Sequence, residues 1–122
     1  WTKGKSCDTF GPIGPWLVTP DEIGDPGALE MTLDVNGERM QNGTSGTMIF
    51  TVPQIISHLS QLMSLQPGDV IATGTPPGVG MGMSPQRFLK EGDEVVAEIK
   101  GLGQQQLSVA RLPSGCSDRK SG

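Results

Sequence analysis

The sequence is poor in the residues from which several common kinds of site are built. It holds one histidine, His58, and two cysteines, Cys7 and Cys116, far apart and with no Cys-x-x-Cys or Cys/His cluster around either. That excludes a histidine-rich zinc centre within the chain. A single pair of cysteines does not define a disulfide framework, so both read as free thiols. Tyrosine is absent and aromatic residues make up only 4% of the chain. Acidic residues outnumber basic ones, 13 against 9, for a formal net charge of −4. This is the wrong sign for a protein that binds nucleic acid by neutralising phosphates. No apolar run approaches the roughly 18–20 residues of a membrane-spanning helix, and the N-terminus lacks the apolar core of a signal peptide. The expectation is a soluble, cytoplasmic protein with neither nucleic acid nor a membrane as partner.

What is abundant is punctuation. Eighteen glycines and ten prolines occupy more than a fifth of 122 residues, which argues against a helical bundle and for short strands joined by tight turns. The length suits one domain with a modest core. Leu29, Met31, Leu33 and Val35 alternate with polar residues, the period of a half-buried strand. Asn36-Gly37 follows, the preferred pair for a type I′ hairpin, with Glu38–Gln41 as the returning strand. Thr51 to Leu65 reads as the one substantial helix, with Ile55, Ile56, Leu59, Leu62 and Met63 on one stripe and Pro53 tolerated in its first turn. His58 falls at the flank of that stripe, as a helix-face histidine. Asp21-Glu22 after Pro20 starts a single helical turn, and Trp16-Leu17-Val18 can form one strand. Val70–Thr73 reads as a short buried strand, and Val95, Ala97 and Ile99 mark another over Glu94–Lys100. Gly101 and Gly103 then turn the chain into Leu107–Ala110. The fold class is mostly β with one helix, α+β, without the βαβ alternation of a doubly wound sheet. Residues 113–122 carry almost nothing apolar and read as a disordered tail after a domain over 1–112.

Two segments invite chemistry. The loop Gly74-Thr75-Pro76-Pro77-Gly78-Val79-Gly80-Met81-Gly82 is dense in glycine, but no Lys follows at P-loop spacing and no Gly-x-Gly-x-x-Gly precedes a helix, so neither phosphate cradle fits. It remains a stiff loop leaving a strand, with a Thr hydroxyl and glycines that allow close approach to a ligand, or a mere turn. Lys5-Ser6-Cys7-Asp8-Thr9-Phe10 packs a cation, a carboxylate and two hydroxyls together, which alone is compatible with a solvated surface pair. No Ser/His/Asp order suits a triad.

Together these segments carry a resemblance. Lys5-Ser6-Cys7-Asp8-Thr9-Phe10-Gly11-Pro12-Ile13-Gly14-Pro15, then Pro67-Gly68-Asp69-Val70-Ile71-Ala72-Thr73-Gly74-Thr75-Pro76-Pro77-Gly78-Val79-Gly80, then Leu89-Lys90-Glu91-Gly92-Asp93, in this order, resemble the fumarylacetoacetate hydrolase family. Within it, the branch of bacterial ureidoglycolate lyases and 2,4-diketo-3-deoxy sugar acid hydrolases looks most similar. The resemblance implies a mixed β-sandwich roll, of which this is the C-terminal part, usually as a homodimer. It implies a divalent cation, Mg²⁺ or Mn²⁺ and in some members Ca²⁺, whose carboxylate ligands lie upstream of Lys5. The chain opens on Trp1 rather than Met, and no metal ligand is assigned within it. Lys5 matches the family's active-site lysine, and Gly74 with Thr75 matches its substrate-carboxylate loop; Asp8 and Thr9 would support the lysine or the water shell of the metal. In the implied reaction a catabolic enzyme hydrolyses a C–C bond of an acylpyruvate-like 2,4-diketo acid, a small 2-oxo acid. The metal polarises the substrate carbonyl and Lys5 stabilises the enolate. A ureidoglycolate lyase, an isomerase or decarboxylase of a related 2-oxo acid, and a catalytically incomplete fragment serving only as a structural or association module stay open beside it. If the loop and the lysine serve one site, Thr75 and Lys5 must face a common cleft.

Overall fold

The hairpin signalled by Asn36-Gly37 organises the computed structural model, which describes residues 2–111. Strand β1 (Glu30–Val35) and strand β2 (Glu38–Thr44) flank the turn, where Asn36 and Gly37 both have positive φ, 52° and 78°. Strand β3 (Glu94–Ile99) pairs antiparallel with β1, and β4 (Gly103–Ser108) pairs antiparallel with β3. The result is an open four-stranded sheet in the order β2-β1-β3-β4. Helices are few: α1 (Thr2–Lys5), α2 (Pro20–Ile23) and α3 (Val52–Ser60). This is an α+β arrangement consistent with part of a larger domain of the expected type. No helix among the described residues is long and apolar enough to cross a membrane. The expected tail 113–122, with Cys116, lies outside the described residues; Cys7 is an exposed free thiol.

The sheet has a polar face and an apolar one. Cross-strand partners project to the same side, so Met31, Leu33 and Val35 share a face with Ile99, Ala97 and Val95. On the other face Asp34 pairs with Arg39. Among the described residues only Val35 and Gln41 are buried outright, 6% and 8% exposed.

Several expectations are corrected. Val70–Thr73 is not a strand: Val70 is 71% exposed, and no backbone hydrogen bond of the described residues involves 70–78. An extended segment becomes a strand only when a neighbour completes its ladder, and none does here. Trp16–Val18 is likewise extended but unpaired. The helix begins where expected, with Gln54 Oε1 accepting from the Thr51 amide, but ends at Ser60 rather than Leu65. Val52, Ile55 and Leu59 are half-buried, whereas Leu62 and Met63 are exposed and contribute little packing to prolong it. Strand β4 starts at Gly103, four residues before its apolar stretch, because Gln104–Gln106 complete the ladder with Ala97 and its neighbours whatever their polarity. The single turn at Asp21-Glu22 is present as α2.

Asn36 also ties the hairpin to β3. Its Nδ2 donates to Asp93 Oδ1 at 2.9 Å, its Oδ1 accepts from the Glu94 amide at 2.9 Å, and its own amide donates to the Glu94 carbonyl. Hydrogen bonds from the Asn36 amide, and then from the Lys90 backbone, hold the Asp93 carboxyl below the usual carboxylate range. A pKa depressed in the folded state contributes stability above the unfolded carboxyl range, about pH 4, and that contribution fades as pH falls through the native value. Thermal melts between pH 2 and 7 should therefore show a shallower acid-side loss of Tm for Asp93→Asn than for the parent. Asn36→Gly, which keeps the turn and deletes the tie, should lower Tm at neutral pH; an unchanged Tm would show the tie to be dispensable.

Candidate functional site

Strand β2 positions the glycine-proline loop. The pairing of β1 with β2 steps from Leu33↔Gln41 to Asp34↔Arg39, so Met40 is an extra residue in β2, a bulge. Beyond it, Gln41 and Gly43 point to the apolar face beside Leu33 and Met31. Gly43 is the seat for Pro76: a Cβ there would lie 2.6 Å from Pro76 Cβ. Gly78, at φ +110°, fits against the bulged carbonyl of Met40, which a Cβ would meet at 2.0 Å, and Gly80 meets the Arg87 carbonyl in the same way. The glycines expected to admit a ligand thus admit the protein's own backbone, and this is a correction. Gln41 completes the attachment, its Nε2 donating to Thr75 Oγ1 at 2.8 Å and to the Pro76 carbonyl at 2.7 Å.

Held this way, Gly74 and Thr75 form part of the wall of a cavity of about 540 Å³, in the size range of small-molecule sites. Met31 and Ile99 supply an apolar floor from the two central strands, and Ile49, Phe50 and Ile55 line one side. The polar side chains at its edge are those of Thr44, Ser45, Thr47, Thr73 and Thr75, and no charged side chain among the described residues lines it. Thr47 Oγ1 donates to the Thr44 carbonyl, and Ser45 Oγ bridges the Leu29 amide and the Pro26 carbonyl. The protons of Ser45 and Thr47 are thus committed within the wall, which among the described residues carries no carboxylate to repel an anion.

The other candidate residues lie elsewhere. Lys5 ends α1, and Asp8 and Thr9 follow in a turn where Thr9 has φ 67°. All three are exposed, none lines the cavity with Thr75, and Lys5 forms no ion pair among the described residues. The segment they lead into is fastened at the far edge of the same face. Gln105 Nε2 donates to the Gly14 carbonyl at 2.6 Å, and Trp16 lies over Gly103, where a Cβ would be 2.8 Å from its ring. One cross-sheet row, Gly43–Met31–Ile99–Gly103, therefore carries Pro76 at one end and Trp16 at the other. Three strand spacings, about 14 Å, separate the two edges. The structure brings Gly74 and Thr75 together with the cavity and seats Gly14 and Trp16, downstream of Lys5, at the far edge of the same apolar face. It does not bring Lys5, Asp8 or Thr9 to the cavity. His58 is exposed on α3.

Gln41 is the residue that reading the sequence missed. It appears there only as the end of a returning strand, and unbroken alternation from the Asn36-Gly37 turn puts Met40 rather than Gln41 on the apolar face, so no signal in the sequence marked it.

The comparisons follow this geometry. A family model described as Fumarylacetoacetate (FAA) hydrolase C-terminal matches residues 1–110. A curated relative from Burkholderia multivorans is 61% identical over 106 residues, covering 86% of this chain and 38% of the relative. The chain thus spans well under half the length of the curated relatives it matches. Among solved structures, the fumarylacetoacetate hydrolase of Exiguobacterium antarcticum superposes with a TM-score of 0.85 at 45% identity, over 89% of this chain and 39% of that one. The maleylpyruvate hydrolase of Sphingobium sp. SYK-6, in complex with manganese(II) and pyruvate, gives 0.77 at 39% identity, over 84% and 36%. A 2-hydroxyhepta-2,4-diene-1,7-dioate isomerase of Mycobacterium marinum gives 0.79 at 41% identity, over 91% and 40%.

The described residues do not fit the metal that such a relative holds: nowhere among them do three His, Cys, Asp or Glu side chains gather. Titration calorimetry of this chain with Mn²⁺ should show only weak, non-stoichiometric uptake; a one-to-one site of micromolar affinity would contradict that. The loop attachment makes a separate prediction. Gly78→Ala puts a methyl into the Met40 carbonyl at a positive φ, an overpacking cost of about 1–3 kcal/mol, and should lower the urea midpoint accordingly. Gly82→Ala, where a Cβ meets only Val79 Cγ2 at 3.7 Å, should leave the midpoint nearly unchanged.

Proposed function

The chain belongs to the fumarylacetoacetate hydrolase family, and from that premise we propose that it supplies the carboxylate-gripping wall of an acylpyruvate hydrolase. The observation that carries this reading is the cavity bordered by Gly74 and Thr75: small, floored by apolar side chains, rimmed by hydroxyls and free of acidic groups. A 2,4-diketo acid has that profile, with a carboxylate at one end and an apolar chain behind it. The Thr75 hydroxyl donates to the carboxylate, and the apolar floor excludes water from the carbon chain.

In the proposed reaction water adds to the acyl carbonyl at C4. The C3–C4 bond then breaks, its electron pair remaining on C3 as the enolate of pyruvate, and a proton returns to C3. The products are a carboxylic acid and pyruvate, the molecule bound in the Sphingobium relative. Lys5 is exposed and outside the cavity among the described residues. Its assignment to the enolate oxygen, where positive charge is worth most as negative charge develops, rests on its match to the family's active-site lysine, with Asp8 and Thr9 supporting the lysine or the water shell of the metal. A divalent cation belongs to this activity, with ligands from outside the described residues. The isomerase relative favours a second reading, a double-bond shift in a 2-oxo acid through the same kind of enolate; lyase and decarboxylase variants share the 2-oxo acid and differ in the bond broken.

The test is the protein expressed from its complete reading frame, supplied with Mn²⁺ and an acylpyruvate such as maleylpyruvate. Pyruvate and the released acid should form in equal amounts. Isomerised diketo acid, or carbon dioxide in place of the acid, would select one of the other readings. Lys5→Met should lower kcat by about 100- to 1000-fold with an unchanged circular-dichroism spectrum. A variant with near-normal turnover would make Lys5 a surface residue.

A further inference from the structure

We propose that Gln41 is a positioning residue that fixes the Thr75 hydroxyl as a hydrogen-bond donor toward the ligand carboxylate. The proposal rests on the reading of Thr75 as the carboxylate-binding group. Gln41 is 8% exposed, the only polar side chain buried outright among the described residues. Its amide has one nitrogen and one oxygen to offer, and the Pro76 carbonyl at 2.7 Å decides which faces the loop. A carbonyl oxygen only accepts, so the nitrogen must point there. The same nitrogen is 2.8 Å from Thr75 Oγ1. Thr75 therefore accepts from Gln41 and does not donate to it.

This leaves the hydroxyl proton to be placed. Within the protein that proton goes to the Pro76 carbonyl, at the long distance of 3.4 Å and beside the Gln41 amide that the same oxygen accepts at 2.7 Å. So long a hydrogen bond is readily exchanged for one to a carboxylate in the cavity that Thr75 borders. A threonine hydroxyl is ordinarily ambivalent, able to present lone pairs or a proton. Occupying one of its two lone pairs from behind reduces the ambivalence and favours the orientation in which the group meets a carboxylate as a donor. The fold supports this polarity at each step. The bulge at Met40 turns Gln41 to the apolar face, Gly43 lets Pro76 settle on β2, and Gly78 brings the loop backbone against the Met40 carbonyl.

An inverted partner separates polarity from packing. In Gln41→Glu the introduced carboxylate can only accept while ionised, so it takes the Thr75 proton and turns the hydroxyl lone pairs toward the ligand. Gln41→Met removes the hydrogen bond and keeps the volume. In the Mn²⁺-loaded protein expressed from its complete reading frame, pyruvate affinity should be measured by calorimetry from pH 5 to 9. Gln41→Glu should bind pyruvate about 10- to 100-fold more weakly at pH 8 and recover toward the parent as the carboxyl protonates. Gln41→Met should lose only a few-fold, with no added pH dependence. Equal, pH-independent losses in both variants would overturn the proposal and leave Gln41 a packing residue. Thr75→Val and Thr75→Ser test the underlying reading: binding unaffected by Thr75→Val means that Thr75 does not hold the carboxylate, whatever Gln41 does. If the glutamate variant does not fold, the parent answers by NMR. The Gln41 side-chain amide resonances should shift on pyruvate addition in the parent and in Thr75→Ser but not in Thr75→Val, and resonances indifferent to pyruvate in the parent would refute the coupling.

Discussion

Two glycines at opposite edges of the sheet hold the rest of the structure in place. Gly43 and Gly103 end the same cross-strand row, and each leaves room for a ring, Pro76 on one and Trp16 on the other. In the adjacent row, Gln41 and Gln105 stand at the same two edges, and each donates its side-chain amide to a carbonyl of the segment above, Pro76 or Gly14. A glycine seat and a glutamine clamp thus fasten each of two segments that have no backbone ladder of their own. Each glutamine supplies a donor to a half-buried carbonyl that lacks one from the backbone, and so offsets part of the cost of taking that carbonyl from water.

The space between the clamps follows from this arrangement. With Pro76 and Trp16 confined to the edges, Met31 and Ile99 are left as the floor between them, and the loop from Gly74 can border a cavity without filling it. Large apolar side chains remain uncovered, Ile49 of the cavity wall at 90% and Leu17 at 93% exposed. That is far more apolar surface than a self-contained domain leaves in water. It accords with a chain that spans about 38% of its curated relatives.

Charge is distributed to match. The described ion pairs, Asp34–Arg39, Glu38–Arg87, Lys100–Glu30 and Arg111–Glu91, involve no residue of the cavity wall, whose polar side chains among the described residues are hydroxyls. A neutral donor is a suitable partner for a carboxylate at an apolar wall, since it binds the anion without requiring burial of a second full charge. The positive charge of the proposed reaction, on Lys5, comes from the segment clamped at the other edge.

The elements governed by neighbours in the chain were legible in the sequence. Positive φ at Asn36-Gly37 and the start of α3 at Thr51 depend on interactions a few residues long, and both are present; alternation marked Leu29–Val35 and Glu94–Ile99 as strands, and each found its ladder in the other. The loop at Gly74–Thr75 stood out in the sequence through its glycines and the motif around it, and it borders the cavity. What Gly78 and Gly80 approach was not, because the carbonyls of Met40 and Arg87 are set against them by tertiary packing. Val70–Thr73 has the composition of a strand, yet strand formation is decided by a partner, and composition does not supply one. The contact of Gln41 with Thr75 spans 34 positions and depends on one bulged residue, Met40, that shifts the register and turns Gln41 to the apolar face. Register is a property of two strands at once, so only the assembled sheet could decide it.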